Sequence, residues 1–207
     1  MRIARMAIVA ALVAVPGWGL AQDQKTYRLT IGDVVVDIDP GESLDVTLPG
    51  GKQTTVKLEL NDFASYSGSM FSFVHPAGVS VTKTQLDTDI NQYLMASALG
   101  TLVIVQEYGS INPVSLNQLM LQELTRESVQ AGAEMTQQPA MRKLADGREL
   151  TGLRATVKTR TDATDFEIMS FGAVDQGLVL VTRIDQENAP AEAAILDKFW
   201  ESLKIKL

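Results

Sequence analysis

The C-terminal segment, residues 165–207, constrains the fold of this chain more than any other stretch. It contains two runs typical of β-strands, residues 166–174 and 178–184, joined by a turn at 175–177. Residues 189–203 then have the spacing of an amphipathic helix, whose apolar residues are Ile195, Leu196, Phe199, Trp200 and Leu203. Burial of each such side chain is worth roughly 1.5–3 kcal/mol, so the stripe must lie on an apolar surface. The hairpin that precedes the helix is the nearest candidate.

The N-terminus has the pattern of a cleavable secretory signal, residues 1–21. Arg2 and Arg5 precede an apolar run over residues 6–15, and small residues then suit cleavage after Ala21. Ten apolar residues are about half of what a membrane-spanning helix requires. We therefore expect a periplasmic or secreted protein without a stable membrane anchor.

The composition excludes several classes of function. The chain has 207 residues, no cysteine, one histidine and a formal net charge of −7. A secreted chain without disulfides must depend on a packed core, for which this length suffices. The acidic charge argues against binding to nucleic acid and to anionic lipid, which both require a basic surface. The usual His/Cys zinc sites and cysteine nucleophiles are excluded by residue content.

The pattern of strands and turns divides the chain into three parts after the signal. Residues 22–62 are expected to form a small all-β unit, because four short alternating runs at about ten-residue spacing are typical of a β-meander. Residues 63–69 are interpreted as a joint, and residues 70–207 as the main domain. In the main domain a helix is predicted over residues 112–132, with Gly132 as a left-handed C-cap.

The order of elements in the main domain is strands, helix, four strands, helix. Asp146-Gly147 predicts a tight hairpin between strands at residues 141–144 and 150–159. Residues 90–98 fit neither the helical nor the strand period. Short connections between the last four strands indicate an antiparallel sheet, so the predicted class is α+β.

The main domain, over about residues 70–207, resembles the PsbP-like family in the order of its motifs. The residues that carry the resemblance are Phe71-x-Phe73-x-x-Pro76-x-Gly78-Val79, the strand 103–108 followed by the helix 112–132, the strands across Asp146-Gly147 and Asp175-Gln176-Gly177, and Phe199-Trp200-x-Ser202-Leu203-x-Ile205. The resemblance implies an antiparallel sheet flanked by two long helices, an α/β/α sandwich. It also implies a mostly non-catalytic family that binds or helps assemble larger complexes, with many bacterial secreted members lacking an assigned role.

A hairpin opens the main domain in this interpretation, with strands on either side of a turn at residues 76–78. Five aromatic residues in the joint and this opening hairpin form the candidate ligand or partner surface. They are Phe63, Tyr66, Phe71, Phe73 and Tyr93. One interpretation is a pocket for an apolar ligand, or a partner surface, at the seam of the two units, where ligands commonly bind. The other is that these rings fill the seam as core.

The remaining candidates favour structural roles. His75 has no second histidine or cysteine with which to bind a metal ion. Ser80 and Lys83 match the spacing of serine–lysine enzymes, but residues three apart in a strand face opposite sides. Three acidic loops are interpreted as polar turns, because none has the ligand spacing of a calcium loop: residues 37–42, 87–89 and 162–165.

The sequence therefore predicts a periplasmic, non-catalytic binding or assembly protein whose partner is an unknown envelope protein. No catalytic residue, metal site or cofactor is predicted. One alternative is a carrier of a small apolar ligand at the seam of the two units. A remote alternative is a hydrolase that uses scattered Asp, Glu or Ser residues.

Overall fold

The computed structural model describes residues 25–207, so the predicted signal at residues 1–21 lies outside the described residues. The chain divides into two compact units, Met1–Leu60 and Asn61–Leu207. In the part that is described, about half of the residues are in strands. No helix among residues 25–207 is long and apolar enough to cross a bilayer.

The described part of the first unit consists of two antiparallel hairpins. Its strands are β1 (Tyr27–Ile31), β2 (Val34–Ile38), β3 (Ser43–Thr47) and β4 (Gln53–Lys57). β1 pairs with β2, and β3 pairs with β4, in two separate two-stranded sheets. The predicted strands are present, but they do not join into one continuous meander. Ile38 and Val46 are the buried apolar residues of this unit.

The second unit contains ten strands and two α-helices among the described residues. The strands are β5 (Phe63–Ser67), β6 (Phe71–Pro76), β7 (Val81–Asp87), β8 (Ile90–Ala96), β9 (Leu102–Tyr108), β10 (Glu134–Lys143), β11 (Glu149–Lys158), β12 (Ala163–Gly172), β13 (Gly177–Asp185) and β14 (Lys204–Ile205). The helices are α1 (Asn117–Gln130), which follows a 3₁₀ turn at Pro113–Leu116, and α2 (Ala189–Ser202).

Two antiparallel sheets make up the second unit. The main sheet has seven strands in the order β10-β11-β12-β13-β9-β8-β7. The small sheet has three strands in the order β14-β6-β5. The last four long strands, β10 to β13, are sequential neighbours, as their short connections predicted.

Local turn chemistry explains why α1 and β10 end where they do. Gly132 has a φ of 93°, a left-handed conformation that glycine adopts without steric cost. Its amide donates to Val129 O, while the Ala133 amide donates to Ser128 O, which is the Schellman pattern. Gly147 has a φ of 88° in the β10–β11 turn, so both glycine predictions are confirmed.

Two apolar clusters lie on opposite faces of the main sheet. One contains Leu121 of α1 together with Ile168 and Val181 of the sheet. The other contains Phe199 of α2 and Phe73 of β6, and it also contains sheet residues such as Met169 and Leu180. Residues that alternate along β12 and β13 supply the two clusters in turn, as the two-residue period of a strand requires.

The predicted α+β class, with a helix-flanked α/β/α sandwich, is wrong. The protein is mostly β, with fourteen strands in four antiparallel sheets in the described chain. One face of the main sheet is covered by α2 together with the small sheet, instead of by a helix layer. The predicted opening hairpin is also absent, because β6 pairs with β5 and β14, whereas β7 pairs with β8. Residues 63–69, predicted to be a joint, contain β5.

Helix α2 is fixed between β6 and the main sheet by its C-terminal residues. The Phe199 ring meets the Phe73 ring edge-to-face, with 5.0 Å between centroids. The Arg142 guanidinium of β10 lies 4.4 Å from the Trp200 ring centroid. The Val74 amide of β6 donates to Ser202 Oγ over 2.8 Å. The helix therefore packs on β6 as well as on the hairpin that precedes it.

Replacement of Trp200 by alanine should destabilise the protein by about 3–5 kcal/mol, because this 5% exposed ring fills the interior and supports Arg142. Chemical denaturation followed by circular dichroism measures the loss. Leu119→Ala is the control, since the Leu119 side chain on α1 is exposed and its removal should cost less than about 0.5 kcal/mol. Similar costs for the two variants would contradict the burial of Trp200.

Candidate functional site

A groove of about 470 Å³ opens on the α2-bearing face of the main sheet. The two-residue period of a strand explains its position. Met169 of β12 and Leu180 of β13 are buried on this face, and the groove residues of the same two strands lie at two-residue steps from them. The groove residues whose side chains share this face are Thr136, Gln138, Arg154, Thr156, Asp165, Glu167, Thr182 and Ile184. Leu196 of α2 borders them. The site is therefore a polar floor on four paired strands, beside one apolar wall.

Glu167 is the most heavily bonded group of the groove. Arg142 donates to it from Nε over 3.0 Å and from Nη2 over 2.6 Å, one bond to each carboxylate oxygen. Arg154 donates to Glu167 Oε1 from Nε over 3.2 Å and from Nη2 over 3.0 Å. Two guanidinium groups therefore share one carboxylate, and this cluster carries a formal charge of +1.

Helix α2 holds this cluster in place. The Arg142 guanidinium stacks on Trp200, and the same guanidinium forms the bidentate contact with Glu167. Glu167 in turn orients Arg154, whose side chain is 51% exposed. A chain of contacts from the buried indole thus fixes a guanidinium at the groove surface, and such pre-organisation lowers the entropic cost of binding.

Asp165 is the second charged group of the floor. Thr156 Oγ1 donates to its Oδ1 over 2.6 Å. Gln186 Nε2 lies 3.1 Å from both carboxylate oxygens. The donors to Asp165 are thus neutral, and its negative charge is not offset by an ion pair in the described chain.

The five aromatic residues predicted as a ligand or partner surface lie in the second unit. Phe71, Phe73 and Tyr93 are buried in the core cluster, and Tyr66 packs against it. Their rings contact one another, with 4.9 Å between the centroids of Phe71 and Tyr93. Phe63 is 46% exposed, and Lys198 Nζ of α2 lies 5.4 Å from its ring centroid. The structure therefore brings four of the five rings together as packed core and leaves Phe63 at the surface.

A buried carboxylate is hydrogen-bonded to this aromatic cluster. Glu107 of β9 is 1% exposed and accepts hydrogen bonds from Ser69 Oγ at 2.8 Å, the Met70 amide at 2.7 Å and the Tyr93 hydroxyl at 2.7 Å. Burial, and then the bond to Glu107, raises the pKa of the Tyr93 hydroxyl well above its ordinary value. The tyrosine thus stays a donor, and the network joins the β5–β6 turn to the main sheet.

A second buried carboxylate, Glu192, lies in the first turn of α2. Ser97 Oγ donates to it over 2.7 Å. Burial acts to raise its pKa, but the hydrogen-bond donors of the loop from Ser97 to Thr101 outweigh burial and hold the pKa below its ordinary value. This carboxylate connects the helix to the β8–β9 loop.

The other sequence candidates occupy separate places. His75 is buried, and its Nδ1 lies 2.9 Å from Pro76 O. Ser80 precedes β7, whereas Lys83 is in β7 with its Nζ 5.6 Å from the Tyr93 ring centroid. The structure therefore provides no serine–lysine pair at these two positions.

The first acidic loop, residues 37–42, is occupied by local contacts, whereas Asp165 of the third, predicted to be part of a polar turn, lies in strand β12. Asp37 pairs with Arg28, whose hydrogen bond lowers the pKa of that carboxyl. Asp39 and Glu42 both pair with Lys25, and hydrogen bonds also lower their pKa values, chiefly from the Thr26 amide to Asp39 and from Lys25 to Glu42. Among residues 25–207, no group of three or more His, Cys, Asp or Glu residues is placed to hold a metal ion.

Sequence reasoning missed the charged groups of the groove, although a signal for them exists. The turn that joins β11 to β12 fixes the register, and this register sets Arg154 opposite Glu167 and Thr156 opposite Asp165. Cross-strand pairs of opposite charge are favourable in antiparallel sheets. The predicted strand bounds, 150–159 and 166–174, would instead set Arg154 opposite Phe171, so the favourable charge pair is the signal that could have corrected the register.

The chain was compared with protein families, curated proteins and solved structures, and it shows little similarity to them. No family model matches the chain, and no curated protein matches it. A solved structure of a protein from Bacteroides thetaiotaomicron VPI-5482 is similar with a TM-score of 0.35 and 6% sequence identity, over 71% of this chain and 50% of that chain. The chain thus spans about half the length of that protein. The resemblance to the PsbP-like family stays a prediction.

The Glu107 network gives a direct test of the packed aromatic core. Tyr93→Phe removes one of three donors to a buried carboxylate and should cost about 1–3 kcal/mol of stability. Tyr27→Phe is the matched control, because Tyr27 is 46% exposed. Denaturation midpoints of the two variants give the comparison, and an equally small effect of both changes would be inconsistent with a buried Tyr93–Glu107 bond.

Proposed function

We propose that this protein is a non-catalytic binding protein of the cell envelope, and that it holds a polar ligand in the groove beside α2. The observation that carries the proposal is the convergence of polar side chains from four hydrogen-bonded strands on one concave surface. The volume of about 470 Å³ is within the range of small-molecule sites. Groups on paired strands change position little, so the groove is pre-formed.

The bonding of the groove carboxylates supports recognition over catalysis. A general base must have a carboxylate oxygen free to reach the proton that it removes. Glu167 already accepts four hydrogen bonds from two guanidinium groups, so its carboxylate oxygens are occupied. Asp165 accepts bonds from Thr156 and Gln186. These carboxylates orient neighbouring donors, which is the role expected of them in a binding site.

The predicted secretory signal supports a location in the envelope. The acidic net charge of −7 is compatible with a soluble carrier or with an assembly factor for another envelope protein. The polar character of the groove favours a polar occupant. Carriage of an apolar ligand by the aromatic cluster stays a prediction, and native mass spectrometry of freshly purified protein tests it.

A groove-filling variant tests the proposal. Thr136→Trp places an indole over the groove from an exposed position on the edge strand β10. Thr84→Trp is the matched control, since Thr84 is exposed on the opposite edge strand, β7. Thermal unfolding is measured against a panel of amino acids, short peptides, monosaccharides, carboxylic acids and inorganic phosphate.

At least one class in the panel should raise the melting temperature of the wild type and of Thr84→Trp by about 5 °C or more at saturation. The same compound should have no such effect on Thr136→Trp, because the added indole occupies the groove. An unchanged response of Thr136→Trp, or no response of the wild type to any class, would contradict the proposed function.

A further inference from the structure

The groove floor carries an arginine–glutamate cluster of formal charge +1, which includes Arg154, and the separate carboxylate of Asp165. Arg154 and Thr156 follow each other on one face of β11, and across from them lie Glu167 and Asp165 of β12. Two residues along a strand span about 7 Å. The backbone positions of Arg154 and Asp165 are thus about 7 Å apart along the strand direction, and both side chains are on the same side of the sheet.

The Arg154 guanidinium has N–H donors that no acceptor among the described residues uses. It carries five N–H bonds in a fixed fork. Its Nε and Nη2 each donate to Glu167 Oε1, whereas Nη1 has no acceptor among the described residues. Because Glu167 is shared with Arg142, the cluster retains a formal charge of +1. Arg154 therefore offers an oriented, half-exposed site for a carboxylate.

Asp165 offers the complementary site. Its hydrogen bonds come from a hydroxyl and an amide, so no cationic side chain among the described residues pairs with this carboxylate. Ile184 is its partner in register on β13, and Ile184 also lines the groove. An ammonium group bound at Asp165 would therefore have an apolar neighbour directly beside it.

We propose that the groove binds a short peptide of about two residues through its free termini. The peptide carboxylate pairs with Arg154, its ammonium group pairs with Asp165, and its first side chain contacts Ile184. An extended chain spans about 3.3–3.6 Å per residue, so the length of a dipeptide matches the backbone spacing of Arg154 and Asp165 along the strands. This inference rests on the proposed function of the groove and specifies its ligand class.

Calorimetric titration with leucyl-alanine is the test. Leucyl-alanine should bind more tightly than alanyl-leucine, since only the former places its leucine at Ile184. N-acetyl-leucyl-alanine and leucyl-alanine amide each lack one terminal charge. Each should bind the wild type about tenfold more weakly than the free dipeptide, as expected for one charge-assisted contact.

Two variants assign each terminal charge to its residue. Asp165→Asn should weaken leucyl-alanine binding about tenfold and leave N-acetyl-leucyl-alanine unaffected, because that peptide has no ammonium to lose. Arg154→Met should have the corresponding effect on leucyl-alanine but not on the amide. Arg126→Met on α1 is the control, since Arg126 is an exposed arginine of another element, and it should bind as the wild type does.

The outcomes separate this inference from the proposed function. Binding of another panel compound, lost in Thr136→Trp, without binding of leucyl-alanine would overturn the peptide inference and leave the groove as a binding site. Binding of leucyl-alanine with unchanged affinity in both charge variants would also overturn it. The two blocked peptides are titrated against the wild type, so the test is independent of how well either variant folds.

Discussion

The packing of α2 on β6, with Phe73 and Phe199 in edge-to-face contact, is the interaction on which the layer that covers one face of the main sheet depends. Both rings are buried in the cluster that covers one face of the main sheet. Strand β6 pairs with β5 and β14 outside the main sheet, so non-local contacts with α2 and with Tyr93 and Glu107 of the main sheet attach the small sheet to the rest. The layer of α2 and the small sheet shields Met169 and Leu180 of the main sheet, each worth roughly 1.5–3 kcal/mol when buried.

The position of α2 also creates the groove. The helix packs on β6 and borders the uncovered ends of β10 to β13 with Leu196, so polar side chains there remain open to solvent. Trp200 connects the two regions, because the ring that packs in the core also supports Arg142. Packing energy from the core is thereby used to orient charged groups at the surface, an arrangement that suits binding sites on rigid elements.

Local patterns predicted most of the helices and strands correctly. The arrangement of these elements in layers was predicted wrongly. The stripe of α2 and the turns at Gly132 and Asp146-Gly147 depend on near neighbours, so the sequence specified them. Alternation at Phe71 and Phe73 shows that one face of β6 is buried, but it carries no information about which strands β6 pairs with. Strand β5 was missed because its serines and its exposed edge give a weak apolar pattern. The groove charges required a register count across β11 and β12.

A double-mutant cycle on Phe73 and Phe199 tests the central contact most directly. Each residue is replaced by leucine, singly and together, and unfolding free energies are measured by denaturant titration. A direct aromatic contact predicts a coupling energy of about 0.5–1.5 kcal/mol between the two substitutions. Additive costs, with a coupling below about 0.3 kcal/mol, would contradict the account of α2 and β6 as one covering layer.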